Sequence, residues 1–280
     1  MEWEVNMKKT VTSALCLVLV LSLFFSVSAN ALSGRTVTVS LDGEVIYRER
    51  PLLIGGVTYV PFRDFMQRNG CSVDWDDKTK TAYARKSSLE VSAAKDESYI
   101  VANGRYLYLS KSILEKGRMY VPLRTLIKAL GGSVSWSQSE KRAYARSGET
   151  PIASGDSYYN QTDLYWLSRI INAESGNQPL LGKIAVGNVV MNRVRSELCP
   201  DSIYDVIFDD RYGVQFTPTS NGTIYNEPNI ESVIAAKICL DGFSLNRDIL
   251  YFINPDLATN RWVADNCVYV FSVGEHDFYC

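Results

Sequence analysis

Glu174 stands in the segment IINAESGNQP (170–179), where an apolar helical pattern ends on a carboxylate. Leu164, Leu167, Ile171 and Glu174 step by three, four and three residues. At 3.6 residues per turn that spacing puts all four on one face. A carboxyl on an apolar face, at the negative end of a helix dipole, is disfavoured as an anion and its pKa rises. A glutamic acid tuned to about 6–7 can protonate a leaving oxygen near neutral pH.

Residue counts narrow the chemistry around it. His276 is the only histidine in the chain. Zinc peptidases and amidases usually take two or more histidine ligands. Cysteine nucleophiles and most serine triads need a histidine beside them. One histidine can serve one nucleophile but cannot build a zinc cage. Carboxylates, amides and aromatics remain in quantity, and these bind and cleave sugars. No cofactor, metal or nucleic-acid partner is expected.

Four helices, a loop and a strand must position these groups. Thr162 is placed to cap a helix over 163–174, with Gly176 as a left-handed terminator. Pro179 opens a second helix through GKIAVGNVVMNRVRSEL, with Ile184, Val189 or Asn188, Met191 and Val194 as its periodic positions. PDSIYDVIF and NIESVIAAKICLDG (229–242) read as further helices, the latter stopped at Gly242. YGVQFTPTSNGTIYNEP between them is a polar-aromatic loop, and VYVFSVGEHDFY holds a short strand. This end is a small, mostly helical domain.

The charge is divided along the chain. Residues 32–150 carry 19 basic and 13 acidic side chains, a net +6, whereas 151–280 carry 8 and 16, a net −8. A basic middle and an acidic end argue for two units with different partners. Lys8 and Lys9 precede the apolar run VTSALCLVLVLSLFFSVSANA, closed by Ala29-Asn30-Ala31. That is a secretory signal over 1–31, and it predicts export, with a retained membrane anchor as the alternative. No later stretch is long enough to span a bilayer. Five cysteines follow the signal, so at least one is free or paired between chains.

Residues 56–85 and 117–146 align without a gap at an offset of 61, with 14 of 30 positions identical. That is an internal repeat. Each copy reads as a hairpin turning at DGE (42–44) or NGR (103–105), a YVPxR entry into an amphipathic helix, then strands around SVxW and AYAR. The shared Trp, Tyr and Arg residues read as core and turn-fixing groups. The pattern over 36–148 resembles the copper amine oxidase N-terminal-like (stalk) domain of bacterial surface proteins. A copper site is not expected, since copper leans on imidazole or soft sulfur ligands. A net +6 suits anionic wall polymers. SGETPIASGDS (147–157) marks a linker, set at 149–158.

The segments DLYWLSRIINAESGNQPLLGKIAVGNVVMNRV, QFTPTSNGTI, LYFINP and GEHDFY occur in order over 159–280. They resemble the SleB/CwlJ-type cell wall hydrolase family, whose best-known members degrade spore cortex peptidoglycan during germination. The resemblance implies an α+β chain: two small α+β stalk repeats followed by a mostly α, lysozyme-like catalytic domain. It implies that Glu174 is the catalytic acid/base. Gln215, Phe216, Tyr251 and Asn254 match motifs lining the glycan cleft. Ser175, Thr217, Asn221 and His276 complete the expected substrate-binding set. Other readings stand beside these: Gln215 and Asn254 as loop braces, Tyr251 as core, His276 as a fixer of the last strand, Asn221-Gly222 as a turn.

Peptidoglycan glycan strands are the implied substrate, at the cell wall or spore envelope. A lytic transglycosylase needs no second carboxylate, because the muramoyl C6 hydroxyl attacks its own anomeric carbon. A muramidase wants one about 5–9.5 Å away, and Asp201, Asp205, Asp209, Asp210 and Glu227 are the candidates. An N-acetylmuramoyl-L-alanine amidase and a non-catalytic wall-binding protein are the alternatives.

Overall fold

The computed structural model describes residues 35–47 and 51–280. The secretory segment expected over 1–31 lies outside them. The two repeats are built from the same parts, and they interlock. A central sheet takes β1 (Arg35–Thr36), β4 (Leu52–Ile54) and β5 (Val57–Pro61) from the first copy, and β11 (Ile113–Glu115) and β12 (Arg118–Pro122) from the second. β5 and β12 pair antiparallel, Val60 opposite Val121. A helix follows each: α1 (Phe62–Arg68) after Pro61 and α2 (Leu123–Ala129) after Pro122. Proline suits that first position because it has no N–H to leave unsatisfied.

Each copy then completes the other. β6 (Ser72–Asp76) and β7 (Thr81–Lys86) of the first copy continue onto β8 (Leu89–Ala94), β9 (Tyr99–Ala102) and β10 (Arg105–Tyr108). β13 (Ser133–Ser137) and β14 (Arg142–Arg146) of the second copy join β2 (Thr38–Leu41) and β3 (Glu44–Tyr47) of the first, with β14 and β2 parallel. The DGE and NGR turns form as expected, with left-handed Asp42-Gly43 and Asn103-Gly104 pairs. One hydrophobic core runs through both copies, with Phe62, Phe65 and Met66 facing the same interior as Leu123, Leu126 and Ile127. The two repeats are therefore one folding unit in space. The shared tryptophans are less buried than expected of core groups: Trp75 is half-buried, and Trp136 is exposed with its Nε1 donating to Gln138.

Residues 149–158 run bound along this unit. Ile152 packs on its core, its N–H donates to the Ala129 carbonyl, and Asn103 Nδ2 donates to the Ile152 carbonyl. The short helix α3 (Gly155–Tyr158) follows, and the chain enters the helical half.

There α4 (Gln161–Ser175), α5 (Leu180–Arg195) and α8 (Ile230–Leu240) pack together around Leu167, Ile171, Ile184, Val189 and Ile238. Gly187 lets them close: a Cβ there would sit 2.7 Å from Cys239 Sγ and 2.8 Å from Ile171 Cδ1. α5 is buried on nearly every side, a wider buried surface than the four periodic positions alone describe. α6 (Ile203–Ile207) and α7 (Thr217–Asn221) lie in the long connection. The C-terminal end holds a three-stranded sheet, with β15 (Tyr251–Ile253), β17 (His276–Tyr279) and β16 (Tyr269–Val273) in that order. A short helix, α9 (Trp262–Asn266), lies between β15 and β16.

The two halves meet at one buried charge. Asp241 accepts from Arg105 Nε at 2.8 Å and Nη2 at 2.9 Å, and from Lys128 Nζ at 2.6 Å. Tyr159 donates to it at 3.4 Å. Beside this cluster Tyr108 stacks on Phe243, with ring centroids 3.9 Å apart. All five cysteines among the described residues are thiols.

Candidate active site

Glu174 lies in the last turn of α4. The helix starts earlier than its sequence pattern suggests: Asn160, not Thr162, is the cap, accepting from the N–H groups of Thr162 and Asp163. Gly176 does not terminate it in the left-handed region. Its φ is −57°, so it continues the right-handed turn. The stop comes instead from outside. Asn229 Nδ2 donates to the Gly176 carbonyl, and Asn172 Oδ1 accepts from Asn229 N–H and Ser232 Oγ. The N-terminus of α8 thus holds the end of α4 in place.

That end opens into a cleft of about 1300 Å³. Glu174 is half-buried in its wall. No hydrogen bond or ion pair among the described residues engages its carboxyl. Burial pushes the carboxyl up to about 7. The neutral acid is therefore well populated at neutral pH, as an acid catalyst requires.

The cleft collects most of the expected residues. Gln215, Phe216, Thr217, Tyr251, Asn254 and His276 line it with Glu174. Their local roles differ. Gln215 Nε2 donates to the Gly213 carbonyl, and Asn254 Oδ1 accepts from Asp256 N–H, so both amides also brace loops. Phe216 is buried in the helical core and shows only an edge. Tyr251 meets Trp262 edge-on at 6.1 Å. His276 is buried, edge-on to Phe252, and desolvation pulls its pKa below the usual imidazole range. It is neutral at neutral pH.

Two expected contacts are not brought to the cleft. Ser175 is fully buried behind the helix, its Oγ donating to the Ile171 carbonyl at 2.7 Å. It sits one residue, about 100° of helical turn, from Glu174. Asn221 turns away: its Oδ1 accepts from both Thr223 N–H and Thr223 Oγ1, and Gly222 follows at φ 81°. It makes the turn that Asn-Gly announces.

Several lining residues carry no local signal that singles them out. Gln178 is 5% exposed and clamps the turn between β16 and β17. Its Oε1 accepts from Glu275 N–H and its Nε2 donates to Glu275 Oε2, both at 3.0 Å. A Cβ on Gly274 would lie 2.2 Å from that Oε1, and its φ is +59°, so glycine is required twice over. Lys183 is buried beneath and donates to the Gln178 carbonyl and, at 2.9 Å, to Glu231. This clamp brings Glu275 and His276 to the cleft that Glu174 lines. Of the five acidic candidates for a second carboxylate, only Asp209 lines the cleft, and it is held bidentately by Arg211. Glu275 was not among them. Arg193 also lines the cleft, from the end of α5.

Two family models match separate stretches of the chain. Residues 177–279 match the Cell Wall Hydrolase family model, and residues 40–145 match the Copper amine oxidase N-terminal domain. Glu174 lies three residues ahead of the first match. The chain is homologous to spore cortex-lytic enzymes. That of Oceanobacillus iheyensis is 26% identical over 226 residues, covering 81% of this chain and 75% of its own length. That of Bacillus cereus is 28% identical over 226 residues, covering 81% and 74%. The catalytic domain of the germination-specific lytic transglycosylase SleB from Bacillus anthracis shares 32% identity. It covers 46% of this chain and 100% of its own, with a TM-score of 0.40. The helical half of the chain thus carries a cell wall hydrolase domain, with a copper amine oxidase N-terminal domain ahead of it.

Proposed function

We propose that this enzyme cleaves the glycan backbone of peptidoglycan as a lytic transglycosylase, with Glu174 as its single acid/base. The observation that carries the reading is the state of that carboxyl: half-buried in the cleft wall, without a partner, and raised to about 7. Glu174 gives its proton to the glycosidic oxygen as the bond from that oxygen to muramoyl C1 breaks. The positive charge left on the sugar is quenched when its own C6 hydroxyl attacks C1. The hydroxyl proton returns to the Glu174 carboxylate, so no water and no second carboxylate is consumed. The products are a free 4-hydroxyl end and a 1,6-anhydromuramoyl end.

Gln215, Thr217, Tyr251 and Asn254 are read as glycan contacts along the cleft, with Trp262 beside Tyr251 as a further aromatic platform. We read residues 36–148 and 159–280 as the two units, joined by the bound segment 149–158. The relatives are named for spore cortex lysis, and in line with that we read the work of this chain as done at the cell wall or spore envelope, after export. The basic repeat unit is read as a holder on anionic wall polymers.

Mass spectrometry of fragments released from purified sacculi tests the reading. Anhydromuramoyl ends are expected. Reducing muramic acid would indicate a muramidase, for which Glu275 is the cleft carboxylate free of an arginine. Free stem peptides would indicate an amidase. Undiminished release by Glu174→Gln would overturn the role of that residue.

A further inference from the structure

Arg193 is 8% exposed, and its guanidinium is fixed on three sides. Nε donates to the Leu250 carbonyl at 2.8 Å. The group lies over the rings of Phe216 at 5.1 Å and Tyr251 at 5.4 Å. Its two terminal nitrogens have no hydrogen-bond partner among the described residues, and the side chain lines the cleft. No carboxylate forms an ion pair with it there. Asp209, which its charge does feel, already holds Arg211 bidentately at 2.8 and 2.9 Å.

A buried arginine cannot shed its proton, and an uncompensated buried charge costs several kcal/mol. This protein shows what a structural solution looks like, since buried Arg105 takes both oxygens of Asp241. Arg193 differs in that its open donors face the substrate channel. Guanidinium is a donor-only fork that matches the two oxygens of a carboxylate. The helical half is otherwise acidic, with 16 acidic against 8 basic side chains, so an anionic substrate group meets few other places to settle.

We propose that Arg193 forms an anion subsite that takes a carboxylate of the peptidoglycan strand. The inference rests on the peptidoglycan reading above. Peptidoglycan offers that chemistry in two places, the lactyl ether of muramic acid and the stem peptide.

The test uses the full chain carrying Glu174→Gln, so that ligands survive, and calorimetric titration with three GlcNAc–MurNAc tetrasaccharides. One bears free lactyl carboxylates. One bears neutral lactyl methylamides. One bears stem peptides, with carboxylates on the peptide alone. A carboxylate form should bind about 10- to 100-fold tighter than the methylamide, the usual worth of a desolvated charged hydrogen bond. Whichever carboxylate form gains identifies the source. Adding Arg193→Met should erase the discrimination. A merely structural role, bracing the Leu250 carbonyl, would instead weaken all three ligands by the same factor, and that result overturns the subsite. If Arg193→Met does not fold, Arg193→Gln replaces it, with the same expectation. Equal affinity of the Glu174→Gln chain for all three ligands overturns the subsite alone. Binding of none of them overturns the peptidoglycan reading as well.

Discussion

Asp241, buried, and Glu174, half-buried, are two carboxyls treated in opposite ways. Asp241, where the repeat unit meets the helical half, is 7% exposed and surrounded by Arg105, Lys128 and Tyr159. Glu174, in the cleft wall, has no partner, and burial alone raises its pKa. The first arrangement holds two regions in one geometry. The second leaves a proton available. Arginine repeats the contrast, since Arg105 is paired and Arg193 is open. Buried charge is paired where the two halves meet and left unpaired where it lines the cleft.

The comparison breaks most severely at Glu174. Glu174→Gln keeps the shape and removes the proton, and should lower turnover on sacculi by about 10²–10⁴-fold, the usual share of general acid catalysis. Turbidity loss of sacculi measures it.

Asp241→Ala removes the partner of a buried arginine. It should destabilise the chain by about 3–5 kcal/mol, read by denaturant unfolding, with turnover per folded molecule unchanged.

The next effect is pH dependence. With Glu174 as the acid of the proposed reaction, activity should hold below about 7 and fall as pH rises through that value. Stability follows the same sign. The folded carboxyl titrates at about 7 and the unfolded one near 4.5. The folded state therefore binds the extra proton between those values, and its advantage is full below about 4.5 and lost above about 7. The loss is on the order of 3 kcal/mol. Glu174→Gln should flatten this slope and unfold at a higher temperature than the parent at pH 8.

The smallest effect sharpens the contrast. Ser175→Ala deletes a hydrogen bond on the buried side of the same helix turn, and should cost about 1 kcal/mol while leaving turnover within about twofold. A larger loss of turnover would return Ser175 to the site.

Glu174 was legible because its evidence is local: helical spacing, an apolar face and a helix end all sit within one segment. The Asp42-Gly43 and Asn103-Gly104 turns were legible for the same reason. The cap at Asn160 was missed because Asn160 and Thr162 are both good cap residues and only the backbone chooses between them. Gly176 misled because glycine permits a left-handed stop without requiring one, and here Asn229 supplies the stop from another helix. Gln178 and Glu275 lie 97 residues apart, so no periodicity could join them.

Sequence by itself determined the repeat, the helical half, the division of charge and the setting of Glu174 on an apolar face at a helix end, since composition, spacing and propensity act over a few turns of chain. Tertiary structure alone decided that the two repeats share one core. It also decided that Asp241 is neutralised by the opposite half, and that Arg193 has no ion-pair partner among the described residues. Whether a buried charge is paired depends on what the fold brings within about 3 Å of it, and that distance is set by packing between segments far apart in the chain.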